Sequence, residues 1–127
     1  MITVTRTFTL EEARRTIPLV KQIVLDILST GHLLTYYAER LNGSNERNRK
    51  VEELLYKFHG YIQELEDIGC FYKDWNFSDG LVDFPATIDG KDVFLCWKCD
   101  EDDILFYHEI DDGFEGRKSL EGMPSLN

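Results

Sequence analysis

The residues able to do chemistry sit mostly in the last third of this 127-residue chain. His108 and Glu109 stand side by side, Asp111 follows, and Asp83 lies upstream. Imidazole and carboxylates together suit a divalent ion such as zinc, iron or manganese, so these four are the candidate metal ligands. Asp83, His108 and Glu109 are also the candidates for acid–base catalysis. Neighbouring residues of a strand point to opposite faces, so His108 and Glu109 could share one ion only at a bend or bulge. The simpler alternative has His108 hydrogen-bonded at a sheet edge and Glu109 paired with Arg117.

Arg117, presented by Gly113-Phe114-Glu115-Gly116, and Trp97 are candidate ligand-binding residues. A guanidinium can clamp a carboxylate or phosphate through two parallel bonds. Among so many acids it could equally pin its loop to the sheet by pairing with Asp111 or Asp83. Cys96-Trp97-Lys98-Cys99 is a C-x-x-C. It ends a strand-like run, however, and lacks the helix N-terminus that activates such thiols. Phe71, Tyr72, Trp75 and Phe77 would line a pocket or, more commonly, cover the end of a helical hairpin. There is no phosphate-cradling loop, nucleophile elbow or Walker-type motif.

Two helices must carry these residues. Thr9-Leu10-Glu11-Glu12 is a capping box. After it, apolar or small residues recur at 10, 13, 17, 20, 24, 27, 31, 34, 38 and 41, in steps of three and four. Pro18 falls inside that run and predicts a kink or a short first helix. Asn42-Gly43-Ser44-Asn45 is turn chemistry. Val51, Leu54, Phe58, Tyr61, Leu65 and Ile68 repeat the spacing, and Gly69 stands where a left-handed cap would end the helix. The pattern predicts a coiled-coil-like antiparallel hairpin over residues 9–69. Leu19, Ile23, Leu33 and Tyr37 lie off the seam, so either the C-terminal sheet or a second copy of the protein packs there, and the reading taken is a homo-oligomer formed through the helices.

Beyond Gly69 the period shortens. Asp89-Gly90 is a two-residue hairpin signal between strands ending at Ile88 and beginning at Lys91. After the acidic turn Asp100 to Asp103, Ile104 to Glu109 reads as a third strand. Residues 80–117 thus predict a small three-stranded antiparallel meander, with Thr3 to Phe8 as a further edge strand and 121–127 as a loose tail. A two-residue turn pairs Ile88 with Lys91 and Asp83 with Cys96. If Lys98 also faces Ile104, Cys96 faces Phe106 and His108 lies diagonal to Cys96. Asp83, Cys96, Phe106 and His108 then share one face, with Val82, Phe84, Leu95, Trp97, Tyr107 and Glu109 on the other. A one-residue slip would exchange the faces of His108 and Phe106.

Gly80-Leu81-Val82-Asp83-Phe84-Pro85-Ala86, the Leu95-Cys96-Trp97 strand, and His108-Glu109 leading to Gly113-Phe114-Glu115-Gly116-Arg117 resemble domain of unknown function 2203. Phe8 to Ala13 is similar to that family's opening. The resemblance spans essentially the whole chain and implies a small soluble prokaryotic protein without an assigned activity. Where this family often reads H-x-H-E, this chain has Phe106-Tyr107-His108-Glu109, which weakens a two-histidine metal site; Cys99 also departs from the family's pattern.

Length and an apolar share of 43% fit one domain, residues 1–127, with its own core. No apolar run approaches a membrane span, and no signal peptide opens the chain, so the expected address is cytoplasmic with no membrane partner. Net charge is −10. Residues 1–60 hold nine Lys/Arg against seven Asp/Glu, and residues 61–127 five against seventeen. The acidic second half argues against nucleic acid as a partner. Three cysteines without a secretion signal are expected to be reduced. The chain reads as an α+β protein, most simply a binding or structural homo-oligomeric module. The alternative is a divalent-metal- or small-ligand-dependent enzyme using Asp83, His108, Glu109 and Arg117.

Overall fold

The computed structural model describes residues 4–41 and 48–121, so the expected turn at 42–45 and nearly all of the expected loose tail lie outside the described residues. Helix α1 runs Leu10–Leu41 and helix α2 Arg49–Ile68. The capping box closes as its sequence dictates. Thr9 N–H donates to Glu12 Oε1 at 2.9 Å and Glu12 N–H to Thr9 Oγ1 at 3.1 Å. Asn48 caps α2 through Val51 N–H, and Gly69, at φ 109, ends it by donating to Leu65 and Glu66. Pro18 does not divide α1, which continues through it as one 32-residue helix. Ala13, Val20, Val24, Ile27 and Gly31 are buried along the expected seam, joined by Ile23.

The sheet has five strands, not the three that periodicity predicts. They are β1 Phe71–Tyr72, β2 Leu81–Ile88, β3 Lys91–Lys98, β4 Phe106–Glu109 and β5 Lys118–Ser119, antiparallel and in sequential order. The two extra strands are two residues long, too short to carry an alternation that a sequence could display. The third strand also starts at Phe106 rather than Ile104. Residues 4–9 form no strand; Phe8 N–H instead donates to the Pro85 carbonyl at 2.7 Å, on the side of β2 turned away from β3. Pro85 is tolerated in a strand there because its missing N–H would have faced that side.

The turn-set register matches the expectation, and of the two alternatives left open for the next pair the structure takes the one with Cys96 opposite Phe106. Asp89 and Gly90 take φ of 53° and 79°, and the paired partners run from Ile88 with Lys91 to Leu81 with Lys98. Cys96 pairs with Phe106 and Phe94 with His108. The inner face, with Val82, Phe84, Ala86, Val93, Leu95 and Trp97, joins the helices in one apolar core. The outer face carries Phe71, Asp83, Phe94, Cys96, Phe106 and His108.

Aromatic residues before β2 close the hairpin onto the sheet. Phe77 and Trp75 stand edge-on to Phe58 at 5.7 and 6.1 Å, and Trp75 meets Tyr72 at 5.3 Å. α1 does contain a stretch long and apolar enough to cross a bilayer, with mean hydropathy 1.3, which corrects the reading that no segment reaches that length. Its buried stripe builds the core.

Gly31 is set by close packing. A Cβ there would lie 2.4 Å from the Phe77 ring, whereas one on Gly60 would meet nothing within 4 Å. Gly31→Ala is expected to destabilise in urea unfolding, because overpacking of about 1–3 kcal/mol outweighs the helix-propensity gain of about 1 kcal/mol. Gly60→Ala should stabilise by about 0.5–1 kcal/mol.

Candidate functional site

On the outer face the register brings Asp83, Cys96 and His108 together, at 4%, 1% and 3% exposure. They floor a recess of about 230 Å³ whose walls include Lys73, Leu81, Phe94, Ile110 and Phe114. His108 Nε2 lies 3.0 Å from Asp83 Oδ2, and Nδ1 lies 2.8 Å from the main-chain oxygen of Glu109. A carbonyl can only accept, so Nδ1 carries a hydrogen. With that tautomer fixed, a neutral ring would turn a bare Nε2 toward a carboxylate. A further proton must therefore lie between Nε2 and Asp83 Oδ2.

The electrostatics agree. Burial works against a charged imidazole, yet the hydrogen bond and charge of Asp83 outweigh it and hold His108 above its ordinary value of 6.5. Cys96 is different. Burial, reinforced by the nearby Asp83 charge, pushes its thiol up to about 12. It is protonated at neutral pH and inert as a nucleophile. Burial likewise pushes Cys70 up to about 12 and raises Cys99. The three cysteines form no disulfide, and Cys99 packs against the core, away from the Cys96 face.

The remaining predicted site residues go elsewhere. Glu109 pairs with Lys118 Nζ at 2.7 Å and with Lys91, on the other side of its strand from His108, and these cations hold its carboxyl down at about 2. Arg117 pairs neither with Glu109 nor with Asp83 or Asp111. Its Nη2 donates to Glu101 Oε1 at 2.7 Å and to the Cys96 carbonyl at 3.0 Å, and its guanidinium lies 4.1 Å over Phe106 and 4.8 Å over Phe114. Through Nη2 it fastens the 110–117 segment to the sheet, while its buried Nε has no hydrogen-bond partner among the described residues. Trp97 is fully buried on the inner face, its Nε1–H bound to the Glu101 carbonyl at 3.0 Å, so it is a core residue. Asp111 is exposed and stands outside the recess.

Three polar residues emerge that their sequence context did not flag. Glu101 Oε1 also accepts from Lys98 N–H at 2.8 Å, making the acidic turn a hub. Asp103 takes a two-bond clamp from Arg14 at 2.7 and 3.0 Å, tying that turn to α1. Asp74, 6% exposed, accepts from the N–H groups of Ser78, Asp79 and Gly80 through one oxygen. An Asp followed closely by Asn, Ser and Gly is the available signal for that loop.

A helical hairpin backing an antiparallel meander, with a buried ionisable pair on the meander's outer face, defines the class of this protein. The model of the uncharacterized conserved protein family DUF2203 matches residues 6–120, and the chain belongs to that family. No curated protein and no solved structure matches it.

A raised folded value gives stability that is fully present below the unfolded value near 6.5 and is lost as pH rises through the folded one. Urea unfolding across about pH 5 to 9 should show the wild type losing stability relative to His108→Gln toward the alkaline end. Histidine-detected NMR titration should place His108 above 6.5, and Asp83→Asn should lower it, leaving only the hydrogen bond to the Glu109 carbonyl to oppose burial.

Proposed function

We infer that this protein is a binding module whose working end is the recess over Asp83 and His108, receiving a small ligand with a hydrogen-bonding head and an apolar part. The observation that carries the reading is the engagement of both His108 nitrogens, at 2.8 and 3.0 Å, at the floor of that recess. In an acid–base dyad the nitrogen opposite the carboxylate faces substrate. Here it faces a main-chain carbonyl, so catalysis would first have to break that bond. The enzyme alternative also loses Glu109 and Arg117 to other partners.

Stability alone is a poor reason to keep such a pair. Packed apolar residues in place of a buried ion pair are often neutral or stabilising by about 1–4 kcal/mol. Polar groups retained at the floor of an apolar-walled recess fit orientation of a ligand. The recess volume of about 230 Å³ suits a single-ring compound.

The partner in self-association follows from the far end of the hairpin. Beyond Gly31, no described residue of α1 is buried, while Leu33 and Tyr36, with Leu55 and Tyr56 of α2, are exposed. A two-helix arm with uncovered apolar side chains fits pairing with the same arm of a second copy into a four-helix bundle.

Two experiments test these readings. The ¹⁵N-labelled protein is titrated with benzoate, benzylamine and benzamide at millimolar concentration. Amide shifts from at least one probe should centre on Lys73, Phe94, Ile110 and Phe114, and no shifts there from any of the three would overturn the recess reading. Light scattering during size exclusion should give a multiple of the 14.9 kDa chain mass, reduced to one by Leu33→Glu/Tyr36→Glu. A monomeric wild type across the accessible concentration range would remove the helical interface.

A further inference from the structure

His108 is held as a metal ligand is held. Its Nδ1–H donates to the Glu109 carbonyl at 2.8 Å, which orients the ring and turns Nε2 toward Asp83. Nε2, a carboxylate oxygen of Asp83 and Sγ of Cys96 all lie within 4.8 Å of one another. We propose that Asp83, Cys96 and His108 bind a zinc-class divalent ion whose fourth position opens into the recess. The proposal rests on the recess being the binding end of the protein, and it names the occupant at its floor.

Zinc bonds of about 2.0–2.3 Å place tetrahedral ligand atoms about 3.3–3.7 Å apart. The Nε2–Oδ2 separation of 3.0 Å needs to open by a few tenths of an ångström, and a pair near the 4.8 Å limit needs to close by about 1 Å, changes that side-chain rotations supply. Charge also balances. One carboxylate, one thiolate and a neutral imidazole total −2 and neutralise a dication where all three residues are at most 4% exposed. Two protons leave for solvent as the ion enters: the one held between Asp83 and His108, and the one on Cys96. No electron is transferred.

The donor set selects the ion class. A thiolate and an imidazole disfavour calcium and magnesium, which take oxygen ligands, and favour zinc or cobalt over manganese. Three protein ligands with an open fourth position match zinc sites that bind a water or a substrate group, whereas purely structural sites are closed by four protein ligands. The expected set of Asp83, His108, Glu109 and Asp111 changes accordingly. Cys96 takes the place assigned to Glu109 and Asp111, because strand alternation puts it on the Asp83 face and puts Glu109 on the other.

The test uses the full chain, reduced, stripped of metal by chelation and titrated with cobalt(II). One equivalent should produce the near-ultraviolet thiolate-to-cobalt charge-transfer band, and zinc should bleach it. Cys96→Ser should abolish the band, while Cys70→Ser and Cys99→Ser keep it. His108→Gln and Asp83→Asn should each weaken cobalt binding more than about tenfold. No band in the wild type, or a band that survives Cys96→Ser, would overturn the site. If either pair variant fails to fold, the three cysteine variants still decide the question. Aromatic probes that bind the recess while cobalt does not would sink the metal inference and leave the binding reading standing; failure of both removes both.

Discussion

Everything on the sheet depends on the register set at Asp89-Gly90. Both turn residues take positive φ, the geometry that matches the right-handed twist of the strands on either side. From that turn, each pair outward is determined, down to Leu81 with Lys98. A shift by one residue would carry Phe84, Leu95 and Trp97 to the outer face and draw Asp83 and Cys96 into the apolar core. The hydrophobic cost of such a slip falls on side chains that are now at most 1% exposed, so a single pairing is strongly favoured. The polar cluster is therefore a product of the same alternation that builds the core.

What surrounds that cluster is held by a second set of polar contacts. Glu101 receives Arg117 and Lys98, and its carbonyl receives Trp97. These bonds fasten the acidic turn to β3 and the 110–117 segment to the turn. Arg117 packs its guanidinium on Phe106 and Phe114, so one side chain ties the segment bearing Phe114, a wall of the recess, to the strand pair beneath it. Asp103 and Arg14 extend the linkage to α1. The acidic second half of the chain, which composition presents as a solvated surface, thus holds several of the bonds that shape the recess.

The buried pair is where local stability and site architecture pull apart. A covered carboxylate and imidazole with a proton between them require complete hydrogen bonding to be tolerated. His108 achieves this through the carbonyl of its own neighbour and the side chain of a residue twenty-five positions away. The same arrangement gathers a ring nitrogen, a carboxylate oxygen and a thiol sulfur within 4.8 Å of one another. That convergence supports a binding role over the proton-transfer role that the residue types alone suggest.

Much of the fold could be read from residue order. Helix ends follow from Thr9, Glu12 and Gly69, the seam from steps of three and four, and the central hairpin from Asp-Gly between two apolar runs, because each of these signals is local. The face shared by Asp83 and Cys96 was legible once the turn fixed the count, whereas His108 joined it only on the condition that Lys98 faced Ile104, which the strand pairing decided. Tertiary structure alone decided the rest. Two-residue strands arise only when loops are brought alongside the meander, and Arg117 meets Glu101 rather than a nearer acid because the acidic turn folds back over β3. Trp97 belongs to the core because the helices cover that face. Partner choice among many carboxylates, and the depth at which a polar residue is buried, depend on distances between segments far apart in the chain, which residue order does not carry.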